Sequence, residues 1–347
     1  MRSENCMFLK EAIYSGLLLL LIIAFFSGCN PEDSSSDVYE ESWKFIVYGD
    51  TAANDANHRA VLQTIMNYTP DFKFIINVGD VVANGELLSD WYIWQQACDD
   101  ILGGTGQYII PPKYMAAPGN HDMVNTPQGL TNWQTFLYGQ AQQFGNNGIY
   151  FNFDYKNVRF IILDSNYFSS FGMGPQYDMM MEAIQNNPKE WLFVFWHHPI
   201  FDFGPKQYRD DIHETWGIPL YQNNCNIIFM GHAHFYVRTK KLELNGEINP
   251  PLDPDNGTVQ IVTGNGGIGL SDLDPNKDGN AYMIESCQDE YHGYCEITID
   301  GDIAHLRHIL AGGAVFDETF YILGDNRRRV SIINPAAHEL GKRVYRQ

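Results

Sequence analysis

Ten residues from position 227, IIFMGHAHFY, carry an apolar run into a glycine and then present two histidines one residue apart. In an extended chain alternate side chains share a face, so His232 and His234 at a strand end would converge on one object above a sheet. Imidazole is the commonest metal-binding side chain, and companions elsewhere decide whether a metal is that object. Four other stretches end in the same manner: VYGD at Asp50, NVGD at Asp80, APGNHD at Asn120, His121 and Asp122, and VFWHHP at His197 and His198. Carboxylates, an amide and several imidazoles make a mixed oxygen and nitrogen set suited to Zn, Fe or Mn rather than to Ca or Mg. Any one of these residues has an ordinary explanation as a helix cap or a buried polar group. The whole series in succession does not.

Such residues need strands to carry them. WKFIVYGD and DFKFIINVGD read as apolar strands, and HRAVLQTIMNY between them has helical spacing, which is a βαβ rhythm. YMAAPGNHD, VRFIILDSN, WLFVFWHHP and NIIFMGHAH repeat the design, with helical spacers SDWYIWQQACDDIL and QYDMMMEAIQNN among them. In open α/β sheets ligands bind beyond the carboxyl ends of the strands, where these polar residues collect. TVQIVTGNGG and CEITIDGDIAHLRHIL alternate more strictly and predict an antiparallel second sheet, with His305 and His308 as structural residues on it.

Composition narrows the chemistry. The 347 residues are 44% apolar and 14% aromatic, enough for a sizeable core. A net charge of −20 excludes the clustered Lys and Arg of a nucleic-acid surface. An acidic chain that acts on phosphate esters needs another source of positive charge, and metal ions supply it. At the N-terminus, Arg2 and Lys10 precede an apolar stretch over 12–26, short for a membrane span. Phe26-Ser27-Gly28-Cys29 then resembles a bacterial lipoprotein signal, with Cys29 the lipidated residue; a plain secretory signal or an uncleaved anchor are the alternatives. Each places the remainder outside the cytoplasm, and the lipoprotein reading puts it in a bacterial cell envelope, at the periplasm or cell surface. An acidic tether follows over 30–44. Beyond the leader stand Cys98, Cys225, Cys287 and Cys295, and the short QDEYHGY span favours a Cys287–Cys295 bridge across a hairpin.

In order along the chain, Gly49-Asp50, Gly79-Asp80, Gly119-Asn120-His121-Asp122, Val194-x-x-His197 and Gly231-His232-Ala233-His234 resemble the calcineurin-like metallophosphoesterases, specifically their purple-acid-phosphatase-like branch. The resemblance runs over residues 45–310, leaving 311–347 as a C-terminal extension. It implies a four-layer αββα sandwich with a dinuclear centre at the carboxyl ends of the strands. Asp80 would bridge two divalent or mixed-valence Fe, Mn or Zn ions. The first would also take Asp50 and His234, the second Asn120, His197 and His232. A hydroxide between the metals would attack phosphorus of a small monoester or diester while His121 protonates the leaving alkoxide. Asp122 either orients that imidazole or caps a turn.

Two departures from the family pattern leave the first metal short of a ligand: Ala52 stands where many relatives have histidine, and Ala83 where purple acid phosphatases have tyrosine. Asn54, His58 or a water would complete the shell. His198, His213 and Asn265 of the TGNGG loop are the candidate substrate contacts. One segment falls outside the resemblance: DPNKDGNAYMIE fits a calcium loop with Asp274, Asn276, Asp278 and Glu285 as ligands, although helices do not flank it. The competing function is a non-catalytic surface lipoprotein that keeps the fold. Oligomeric state is not legible.

Overall fold

The computed structural model describes residues 41–52, 55–166, 174–205 and 208–323; the leader with Cys29, most of the tether and Asn54 lie outside these. The strands are β1 (Trp43–Tyr48), β2 (Ile75–Asn77), β3 (Tyr114–Ala116), β4 (Phe151–Tyr155), β5 (Val158–Ile162), β6 (Trp191–Phe195), β7 (Ile227–Met230), β8 (Tyr236–Thr239), β9 (Val259–Thr263), β10 (Ile284–Gln288), β11 (Gly293–Asp300), β12 (Ile303–Leu310) and β13 (Val315–Ile322). The principal helices are α1 (Asp55–Tyr68), α2 (Leu88–Leu102), α3 (Pro127–Phe136), α4 (Tyr138–Gln143) and α5 (Pro175–Gln185). A further helical stretch, Asp210–Ile212, His213–Gly217 and Ile218–Gln222, contains a π-type turn.

Two mixed sheets result, ordered β13-β12-β11-β1-β2-β3 and β10-β8-β9-β7-β6-β5-β4. Side-chain alternation along the apolar strands explains the layering. Phe45 and Val47 of β1, and Phe193 and Phe195 of β6, enter one core between the sheets. Ile46 and Tyr48 turn outward under α1 and α2, while Leu192 and Val194 turn outward under α5 and Trp216. Strands apolar on both faces are buried on both faces, which gives the expected four layers. Phe160 is the hub of the middle layer, with ring centroids 4.8–6.2 Å from Phe45, Phe74, Phe153, Phe193 and Phe195. Removing a ring of this kind costs roughly 3–5 kcal/mol, so the relation between the two sheets is firmly set.

Three expectations change. The alternating segments do not make a separate antiparallel sheet: β9 lies parallel to β7, and β11–β12 continue antiparallel from β1. Alternation reports a strand's two environments and not its partner's direction. The extension expected from residue 311 begins with β13, paired along β12 from Ile303↔Ile322 to Ile309↔Val315, so the sheet passes Leu310. Cys287 and Cys295 are free thiols, as is Cys98. The hairpin that would join the first two does not exist, because β10 pairs with β8 in one sheet while β11 pairs with β1 and β12 in the other. Among the described residues no helix is long and apolar enough to cross a membrane.

Candidate metal centre

Parallel pairing of β1 with β2, Tyr48 opposite Asn77, brings the two Gly-Asp loops side by side. Asp50 N–H donates to Gly79 O (2.9 Å) and Thr51 N–H to Asp80 O (3.1 Å). Both aspartates take left-handed backbone, φ 56° and 53°, as does His232 at 67°. Such strain in non-glycine residues costs of order 1–3 kcal/mol each and persists only where surroundings over-determine it. Here each bend turns a carboxylate or imidazole from the strand direction into a common basin. Asn77 fastens the second loop, accepting Gly79 N–H (2.8 Å) and donating to the Tyr114 hydroxyl (2.9 Å).

The other sheet supplies the histidines. His197 lies just beyond β6, its Nε2 3.2 Å from Asp80 Oδ2. Its Nδ1–H donates to Val78 O at 2.9 Å, which leaves Nε2 unprotonated in the neutral ring. That nitrogen is buried and makes no hydrogen bond. Gly79 permits the approach, since a Cβ there would sit 2.5 Å from His197 Nδ1. His234 repeats the scheme, with Nδ1–H donating to Gly269 O (3.0 Å) and Nε2 3.6 Å from Asp50 Oδ1. Fixing one ring nitrogen on a carbonyl to aim the other is how metal-binding histidines are oriented.

The opening pair separates, His232 toward His197 and His234 toward Asp50, though not by the geometry of an extended strand. Beyond Met230 the chain folds into successive tight turns, Ala233 N–H on Gly231 O and Phe235 N–H on Ala233 O, both 2.8 Å. His232 N–H donates to Asp50 Oδ2 (2.9 Å), while its ring stands with His197 and His198. Two groups with metal-ligand spacing exist among the described residues: Asp50, Asp80 and His197, and His197, His198 and His232. Asn120 opens the 3₁₀ turn Asn120–Asp122 at the rim with its side chain exposed.

Electrostatics suit a cation. Burial raises Asp50 well above the usual carboxylate range, and the neighbouring Asp80 adds to this. Burial would raise Asp80 too, but His197 and the N–H of His121 outweigh it and hold Asp80 at about 2. Burial lowers His197, yet Asp80 and Asp50 lift it to about 9. The carboxylates of the basin thus attract positive charge, which a divalent ion would supply. An orphaned buried imidazole nitrogen, two carboxylates and further histidines fit transition-metal ligation.

The remaining candidates divide. His121 is exposed at the rim, its Nδ1–H donating to Ala83 O (2.8 Å) and its backbone N–H to Asp80 Oδ1 (2.8 Å). Asp122 does not orient it: its carboxylate accepts Gly119 N–H (2.7 Å) and Val82 N–H (3.3 Å), so it caps the turn. Burial, then Asp80, pushes that carboxyl up to about 8. His58 is buried against the Tyr48 hydroxyl at 3.2 Å and belongs to neither cluster. His213 is buried, its Nδ1–H on the Tyr208 hydroxyl (2.7 Å) and its Nε2 accepting Gly246 N–H (3.3 Å), which makes it a scaffold residue away from the rim. Asn265 is also inside, donating to Tyr291 O (2.9 Å) and His308 Nε2 (3.2 Å). It shapes the TGNGG loop, whose backbone N–H groups at Gly266 and Ile268 donate to Gly49 O and Asp50 O. The calcium-loop residues do not assemble. Asp274 faces a surface recess with Gly204 and Asp272, Glu285 faces another with Arg238 and Lys240, and a 3₁₀ turn over Lys277–Met283 lies between them. Sequence reasoning passed over Ser165, which holds His198; it stands in the LDSN strand end, where only the two histidines' companions were sought.

Comparisons with known proteins point to one family. The family model described as calcineurin-like phosphoesterase matches residues 44–236. "Probable inactive purple acid phosphatase 1" of Arabidopsis thaliana is 25% identical over 276 residues, covering 69% of this chain and 42% of that protein. "Purple acid phosphatase 23" of the same plant is 28% identical over 165 residues, 44% of this chain and 34% of its own. The chain thus spans less than half the length of these curated relatives. Among solved structures, purple acid phosphatase PPD1 from yellow lupin (Lupinus luteus) seeds has a TM-score of 0.65 at 17% identity, covering 83% of this chain and 55% of that one. GAP50, the anchor in the inner membrane complex of Plasmodium, has a TM-score of 0.62 at 12% identity, covering 82% and 90%. The structural likenesses speak for the fold.

Proposed function

Because the chain belongs to the calcineurin-like phosphoesterase family, in its purple-acid-phosphatase-like branch, we propose that it hydrolyses small phosphate esters at a two-metal centre on an exported, lipid-anchored bacterial protein. The observation that carries this reading is His197 Nε2, buried, without a hydrogen bond and aimed at Asp80. Asp80 would be the shared ligand, Asp50 and His234 would hold one ion, and Asn120, His197 and His232 would hold the other. Fe, Mn or Zn in these places would supply the positive charge that clamps the phosphoryl group and activates water. His121 is the general acid: with Nδ1–H committed to Ala83 O, its Nε2 is the atom that passes a proton to the departing alkoxide. The leader with Cys29 supports export and anchoring.

A second reading, a surface binding protein that keeps the fold without turnover, draws on Ala52 and Ala83, on His58 being committed to Tyr48, and on one relative whose name calls it inactive. Metal analysis with assays on p-nitrophenyl phosphate and its bis ester separates the two. Under the enzyme reading, His121→Ala keeps its metals and loses about 10²–10⁴-fold in turnover on esters with poor leaving groups, with a smaller loss on activated ones. Equal loss on both kinds, or loss of metal, refutes the general-acid role. A metal-replete protein inert to both esters supports the binding reading.

A further inference from the structure

His198 is not among the residues that the family motifs place at the metals, yet its ring stands where a ligand would. Its centroid lies 4.3 Å from that of His232 and 5.0 Å from that of His197. One nitrogen from each of the three rings falls within 4.8 Å of the others. Position follows from strand register. β5 and β6 run parallel with Ile162 opposite Phe195, so three residues further Ser165 comes opposite His198. Ser165 Oγ accepts His198 N–H at 3.0 Å and meets His198 Nδ1 at 2.8 Å. Trp196 Nε1–H closes the segment from the other side, donating to His198 O at 2.7 Å. Two contacts from one buried hydroxyl fix both backbone and ring, and with Nδ1 engaged the nitrogen able to take a metal is Nε2. His197 and His234 are held by the same device, with a carbonyl where His198 has Ser165.

We infer that His198 is a third imidazole ligand of the second metal site, oriented by Ser165, and that this site therefore selects zinc. The inference rests on the two-metal reading above. Imidazole donors favour Zn over harder ions, and a third imidazole beside Asn120 and Asp80 makes the second site the more nitrogen-rich of the two. The first site has the opposite character, with two carboxylates, His234 and Ala52 in place of an imidazole. The chain is thus imidazole-poor at one metal and imidazole-rich at the other, which predicts tight zinc at the second site and weaker, exchangeable metal at the first.

The test uses the full chain, stripped with chelator and titrated with zinc alone against a chromophoric competitor. The imidazole count at one bound zinc per chain is then read by X-ray absorption. Wild type should show one tight zinc with three histidines. Ser165→Ala should weaken it by about 10–100-fold, as for lost outer partners of metal ligands. His198→Gln should weaken it further and leave two histidines, with the metal-free thermal midpoint unchanged as the check on folding. An unchanged imidazole count in His198→Gln overturns the inference. So does unchanged zinc affinity with a raised KM for phosphate ester, which makes His198 a substrate contact. A wild type that binds no zinc, iron or manganese refutes the two-metal reading itself, an outcome distinct from both.

Discussion

Protonating His308 should unfasten the loop that backs the first metal ligand. The ring is fully buried, stacked on Tyr236 with centroids 3.8 Å apart and planes 11° apart. Its Nε2 accepts from two amides, Asn265 Nδ2 at 3.2 Å and Gln288 Nε2 at 3.4 Å, so a proton there would face two donors. Burial accordingly lowers its pKa to about 3. A depressed base contributes stability that is complete above the unfolded pKa of about 6.5 and is lost as pH falls toward the folded value. Linkage gives a loss of about 2 kcal/mol at about pH 5 and about 3 kcal/mol at about pH 4, a slope near 1.4 kcal/mol per pH unit.

The assay is urea unfolding of chelator-stripped protein, followed by tryptophan fluorescence between about pH 7.5 and pH 4, for wild type and His308→Gln. Glutamine keeps an acceptor for Asn265 and Gln288 but cannot be protonated. The variant should be less stable at neutral pH, where the Tyr236 stacking is lost, yet its stability should fall less steeply with acid by about 1.4 kcal/mol per pH unit. His58, lowered by burial to about 3, and His213, lowered by burial to about 4, act equally in both proteins and cancel in the comparison. Parallel pH profiles would refute the reasoning. The functional link runs through Asn265: once its acceptor is gone, the loop whose N–H groups hold Gly49 O and Asp50 O is loosened. Metal at the first site should then be lost in acid before metal at the second.

Gly231→Ala should distort the first site while sparing the core, because a Cβ there would lie 2.4 Å from Asp50 Oδ2 and 3.0 Å from Val78 O; elemental analysis should show the loss mainly at the more weakly held metal. Asp80→Asn should remove both metals and Asp50→Asn chiefly one, and two tightly held metals in the Asp80 variant would contradict its bridging place. Reducing agent should leave the thermal midpoint unchanged, since Cys287 and Cys295 are free thiols in different sheets; a fall of several degrees would show a disulfide.

The residues that converge on the basin were easier to find in the sequence than the strand pairing that carries them. Asp50, Asp80, His197, His232 and His234 each follow an apolar strand and a glycine or aromatic stop, and that local signature survives whatever the strands do next. Strand partners carry no such mark. VQIVT of β9 does pair antiparallel with β8, as its alternation suggests, but it runs parallel to β7 on its other edge, so the sheet is mixed. The Cys287–Cys295 expectation failed likewise: eight residues apart suggests a hairpin, but the chain leaves one sheet and enters the other between them.

What separates the histidines gathered at the basin from those of the scaffold is the fate of the second ring nitrogen. His58, His197, His213, His234 and His308 are all histidines of folded segments, and spacing alone ranks them poorly. In His213 and His308 hydrogen-bond partners engage both nitrogens, and in His58 the Tyr48 hydroxyl takes Nε2, so burial simply keeps these rings neutral. In His197 and His234 a carbonyl takes Nδ1, and Nε2 is turned toward an aspartate in a basin of converging strand ends. His198 meets the same criterion through a hydroxyl in place of a carbonyl. No sequence window contains that hydroxyl and that ring together, since 33 residues separate Ser165 from His198. Only the parallel register of β5 on β6 brings them into contact, which is why His198 reads from sequence as a rim residue while the fold sets its ring beside those of His197 and His232.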